Sequence, residues 1–118
     1  MTAWRRGARP AGWYPRRGDV CLLDLDKQRP ALVLSSDALN AHSLDICVLP
    51  ISTVEHMAFS MRVKLKAGDG GLNRDSWVKC DQPTTVEMES VAYPPLGRVR
   101  SESMEMVEAA VKRALDLL

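Results

Sequence analysis

Arg29 stands directly before Pro30 and an apolar run, in "QRPALVLSSDALN" (28–40). A guanidinium mounted between a tight loop and a buried strand is held rigidly, and its planar fork suits two oxygens of a phosphate or of a developing phosphorane. An arginine snorkelling from the edge of a barrel has the same spacing, so the residue types alone leave both readings open. Asp24 and Asp26 lie two apart and share one face of an extended segment. They can hold a divalent cation there, or end a strand as solvated carboxylates, the more ordinary outcome. His42 and His56 sit among loop residues, in the manner of polar surface groups rather than of a general acid and base. The chain has no G-x-S-x-G elbow, no H-E-x-x-H and no P-loop, which removes the common serine, zinc and nucleotide-hydrolysing classes.

Cys21, Cys47 and Cys80 are odd in number and widely spaced, with no C-x-x-C pair. They fit neither a disulfide framework nor a zinc pattern, and read as small buried hydrophobes in a reducing compartment. No apolar run reaches the roughly 18 residues of a membrane span, and no apolar segment follows the arginine-rich start as it would in a signal peptide. The expected location is cytoplasmic. The formal net charge is +1, unevenly spread: Arg5, Arg6, Arg9, Arg16 and Arg17 precede the first acid, and the remainder carries 11 basic against 15 acidic residues. Nucleic acid would therefore meet a local patch rather than a field over the whole surface. The arm over residues 1–16 mixes arginines with Trp4, Trp13 and Tyr14, a composition suited to stacking on single-stranded bases, though a flexible basic tail is the more ordinary outcome and the one expected.

Positioning these residues falls to short apolar segments separated by turn signals, the pattern of a small barrel or sandwich and not of βαβ units. Strands are expected over 18–25, 30–36, 44–52, 60–67, 76–82 and 96–100. The second is apolar on both faces, and the fourth alternates Met61, Val63 and Leu65 with Arg62, Lys64 and Lys66, one face core and the other wet. "GDGGLNRD" reads as loop. Ser101 is expected to cap a terminal helix whose apolar residues Met104, Val107, Val111, Ala114 and Leu118 recur at three and four. With 118 residues, 46% of them apolar, one compact domain over 17–118 is the expectation.

Five blocks in order resemble the MazF/PemK family of toxin endoribonucleases, the mRNA interferases of bacterial toxin–antitoxin pairs. They are "RRGDVCLLDLD", "QRPALVLSSDALN", "CVLPIST", "GGLNRDSWVKCDQPTT" and "LGRVRSESMEMVEAAVKRALDL". The resemblance implies an SH3-like barrel with a C-terminal helix. It implies a homodimer that cuts single-stranded mRNA or tRNA without a metal or other cofactor, and a small MazE-like antitoxin that neutralises it. It further implies that Arg29 and Ser52, with Thr53 next door, carry the cleavage, and that Lys27, Gln28, His56, Lys79, Gln82 and Thr84 contact RNA. Two departures stand out: a serine where the family mostly has threonine, and only Lys27 and Gln28 between Asp26 and Arg29, where family members have a longer loop. A CcdB-like topoisomerase poison, or an SH3-like binding module without activity, remain the alternatives on the same framework.

Overall fold

The computed structural model describes residues 7–55 and 61–118, so His56 lies outside the described residues. Seven strands run β1 Asp19–Asp24, β2 Gln28–Val33, β3 Asp45–Ser52, β4 Arg62–Leu65, β5 Ser76–Lys79, β6 Thr84–Glu87 and β7 Gly97–Arg98. A short helix α1, Asp37–His42, follows β2, and a long helix α2, Ser101–Leu115, ends the fold. The sheet is antiparallel in the order β4-β5-β3-β2-β1-β7. β3 divides its outer edge, pairing with β6 through Asp45–Val48 and with β5 at Ile51 and Ser52. β4 and β7 do not pair with one another, so the sheet is a half-barrel, a mainly β fold with a C-terminal helix as the sequence leads one to expect.

Alternation along β1, β2 and β3 fills two cores at once. Val20, Leu32, Leu49 and Ile51 face α2, where Val107, Ala110 and Val111 close the first core. The intervening residues Cys21, Leu23, Ala31, Val33, Ile46 and Val48 face the other way and build a second core with Val91, covered in part by Trp13, Val86 and Met88. A strand buried on both faces reads as a continuous apolar run, which is why 30–34 shows no polar alternation.

The basic arm expected over residues 1–16 is, from Gly7 on, laid against this second face. Gly7 bridges Tyr93, and Arg9 donates to the carbonyls of Met88 and Val91. Trp13 packs edge-on to Tyr93 with ring centroids 5.0 Å apart. Arg17, counted by its charge, binds Glu108 of α2 at 2.7 Å and the Leu34 carbonyl at 3.0 Å.

Other differences have physical reasons. α1 is only six residues long, below the length at which helical periodicity shows, yet its Ser36 cap accepts a bond from the Leu39 amide at 3.2 Å. β6 has a single apolar side chain, Val86, so alternation cannot reveal it. α2 starts one residue earlier than expected: Arg100 takes the cap position and Ser101 bonds only Glu102. Capping comes from outside the helix, because buried Asp69 accepts from the Arg100 amide at 2.9 Å and the Ser103 hydroxyl at 2.5 Å. The turn Asp69–Gly71 reaches this place because Gly71, at φ 73°, lies so close to Leu96 that a Cβ would meet its carbonyl oxygen at 2.0 Å. Leu118, expected on the packed face, is fully exposed beyond the helix end.

Candidate active site

Where the cover of the second core stops, the sheet opens into a groove of about 420 Å³. Its apolar lining includes Leu23 and Val48 of that core, Val86 packed against it, and Pro50. Strand register explains what stands around it. β2 sends Val33, Ala31 and then Arg29 to the second face, so the first two are buried and Arg29 emerges beyond them. β3 does the same with Ile46, Val48, Pro50 and Ser52. The β2–β3 ladder ends at Ala31 and Pro50; continued, it sets Arg29 across from Ser52. On the other edge Ser52 pairs with Trp77 and Ile51 with Val78, which sets Lys79 beside Pro50.

Gln28, Arg29, Ser52, Thr53, Lys79 and Thr84 therefore line one cavity, although they come from four strands and, in Thr53, from the residue after β3. Lys27 and Gln82 do not line it. Lys27 sits in the turn from β1 to β2, its amide bonded to Asp26 at 2.9 Å. Gln82 shapes the turn from β5 to β6: its amide donates to the Lys79 carbonyl at 3.1 Å and its carbonyl accepts from the Thr84 hydroxyl at 2.9 Å.

The electrostatics are one-sided. Among the described residues neither Arg29 nor Lys79 has an acidic partner. Lys79 also pairs across the ladder with Arg62, a like-charge arrangement that disfavours the sheet on its own. Asp81, 3.0 Å from Arg62, relieves part of it. The Ser52 oxygen accepts the Val54 amide at 3.0 Å, which fixes the hydroxyl and leaves its proton free to be donated. Thr53 is exposed at the rim.

Groups with shifted proton affinity do not line the groove. Burial pushes the Cys21 thiol up to about 12, with Asp19 adding to it, and the Cys80 thiol up to about 11, with Asp81 adding. Burial also raises Cys47. The Asp75 carboxyl is held below its ordinary range by the Ala67 amide, 2.9 Å away, and then by Lys64. All three cysteines are free thiols. Among the described residues no three His, Cys, Asp or Glu side chains converge in a way that would hold a metal ion, and no helix is long and apolar enough to cross a membrane.

A family model described as PemK-like, MazF-like toxin of type II toxin-antitoxin system matches residues 16–115. The chain belongs to this toxin family. One relative is the endoribonuclease MazF9 of Mycobacterium tuberculosis, 30% identical over 115 residues, covering 86% of this chain and 97% of the relative. A solved mycobacterial endoribonuclease in complex with its cognate antitoxin superposes with a TM-score of 0.78 at 27% identity, over 88% of this chain and 97% of that one. A MazE-MazF complex from Deinococcus radiodurans shares the fold at a TM-score of 0.77 and 22% identity, over 90% of this chain and 99% of that one. The family model's match begins at Arg16, so the described segment from Gly7 to Pro15 lies outside it.

The groove's apolar lining and Trp77 escaped the sequence reading. Trp77 pairs with Ser52 on one side and Lys64 on the other, half-buried on the groove face of β5. Its place was legible in the alternation of Ser76, Val78 and Cys80 inward against Trp77 and Lys79 outward.

Proposed function

We propose that this chain is an endoribonuclease toxin that cuts single-stranded RNA in the groove lined by Arg29 and Ser52, using the RNA's own 2′-hydroxyl as nucleophile. One observation carries the reading: two cations without acidic partners among the described residues, and a serine whose oxygen is already held, face the same cavity. RNA supplies both the anion those cations lack and the attacking oxygen, so the protein need only hold the phosphate and stabilise the charge that develops on it. In-line attack of the 2′-oxygen on phosphorus forms one P–O bond and breaks the bond to the 5′-oxygen, while the proton lost by the 2′-hydroxyl passes to water and the leaving 5′-oxygen takes one up from water. The products are a 2′,3′-cyclic phosphate and a 5′-hydroxyl.

Arg29 neutralises the non-bridging oxygens as their charge grows, and Ser52 donates its proton in a hydrogen bond to one of them. Each such preorganised donor is worth about 3 to 4 kcal/mol of the barrier. A guanidinium is a donor only, with no lone pair to take up a proton, so Arg29 serves as an electrostatic stabiliser and not as a base. Ser52 is preferred over Thr53 because the Val54 amide orients it. Lys79, Gln28 and Thr84 bind the flanking nucleotides.

In this reading the chain works as a homodimer and is silenced by a small antitoxin whose acidic and apolar tail covers the groove. The relatives solved with antitoxins support that partner. Light scattering should give twice the chain mass at micromolar concentration, and co-expression with the adjacent short reading frame should restore growth. The activity itself is tested by digesting a long mixed RNA and examining the new ends. Cyclic phosphates with 5′-hydroxyls, lost in Arg29→Ala by about a hundredfold or more, support the reading. Ends bearing a 5′-phosphate contradict it.

A further inference from the structure

We propose that Trp77 is a stacking platform for a base adjoining the cleaved phosphate, an inference that rests on the RNA reading of the groove. Trp77 is the residue paired with Ser52 across the β3–β5 ladder, so its ring begins one cross-strand step from the hydroxyl assigned to the phosphate. The ring packs into neither apolar core, unlike Trp13, which covers the second core and meets Tyr93 edge-on. A half-buried aromatic beside that hydroxyl, packed into neither apolar core, is an element on which a single-stranded base can stack whatever its identity.

Its surroundings suit a nucleotide. Arg62, Lys64 and Lys79 share the face, and the Lys64 ammonium lies 5.6 Å from the ring centroid. That lysine has a second place to go, Asp75 at 3.6 Å, so a base can take the ring face while the ammonium stays paired. The same face would bind a second copy of the chain through the ring, but a buried lysine and arginine row facing its own image is a poor self-complementary surface.

The binding probe is a short random-sequence oligoribonucleotide, 2′-O-methylated throughout so that it cannot be cut. Trp77→Ala should weaken its binding by about tenfold, and Trp77→Phe by much less, with the melting temperature and molecular mass of both variants those of the native chain. A second probe carries the mapped cleavage site with the base removed on one side or the other of the scissile phosphate. On one of the two, the native chain should bind as weakly as Trp77→Ala, and Trp77→Ala should lose nothing further. Unchanged binding by Trp77→Ala overturns the inference, and so does a change of mass that puts the ring between copies. Native protein that binds through Trp77 but cuts no RNA would leave the platform standing and remove the proposed activity instead.

Discussion

The two faces of the sheet are built from the same strands and end differently. Toward α2, Leu32, Leu49 and Val107 are fully buried, and Asp69 ties the helix start to the turn beneath it. On the other face the cover is assembled from pieces, residues 7–16, Val86, Met88 and Tyr93, and it stops before the strands do. Ala31 is closed in while Arg29, next on the same face of the same strand, is exposed. The candidate site is thus the unfinished end of one of two faces built from the same strands, with Arg29 and Ser52 standing where the apolar alternation would have continued.

The largest effect on stability is expected on the closed side. Leu49→Ala empties a fully buried position in the first core and should cost about 2 to 5 kcal/mol of stability, read as a fall in the urea midpoint. Cleavage per folded molecule should be unchanged. Arg29→Ala is the opposite case: the loss of about a hundredfold in rate corresponds to about 2.7 kcal/mol of barrier, with stability altered by less than about 0.5 kcal/mol. Lysine at the same position should restore only part of the rate, because it lacks the planar fork. Asp69→Ala strips the Arg100 amide and Ser103 hydroxyl of their acceptor and should destabilise by about 1 to 3 kcal/mol, again without touching the chemistry.

Smaller effects are expected at the buried thiols, one in each core: Cys80 in the first and Cys21 in the second. Their folded pKa values, about 11 and about 12, stand above the ordinary thiol value of 9.0. An acid whose folded pKa is raised contributes its full stability below the unfolded value and loses it as pH rises through the window up to the folded value. Unfolding at pH 10 should therefore be easier than at pH 7 by about 1 kcal/mol for each thiol, and Cys21→Ala or Cys80→Ala should remove its own share of that slope. At neutral pH a thiol reagent should modify half-buried Cys47 first, whichever core is the looser.

The sheet was readable wherever a strand is long and buried. Residues 19–24, 28–33 and 45–52 announce themselves by apolar content, and the double-sided burial of 30–34 was visible as a run without polar breaks. Arg29, Ser52 and Thr53 were expected together from the family resemblance; spacing along the chain could not bring them together, because the distance is closed by the β2–β3 ladder. Gln82 and Lys27 stand outside the cavity because each sits in a turn, whose backbone bonds to Asp26 in one case and to Lys79 and Thr84 in the other fix its place. Thr84–Glu87 becomes a strand through its partner β3 rather than through its own propensity. The packing of Trp13 and Arg9 on the second face depends on carbonyls and rings far away in sequence, which no local pattern reports.

Everything assigned to the groove depends on the RNA attacking its own phosphate. The direct measurement is cleavage, in EDTA, of a pair of oligonucleotides spanning the mapped site and differing by a single 2′-deoxy sugar on the 5′ side of the scissile phosphate. Both strands should bind alike, the all-ribose strand should be cut without added metal, and the deoxy strand should not be cut. Cutting of the deoxy strand at a normal rate, or a requirement for magnesium, would contradict this mechanism by making water the nucleophile and returning the chemistry to Asp24 and Asp26.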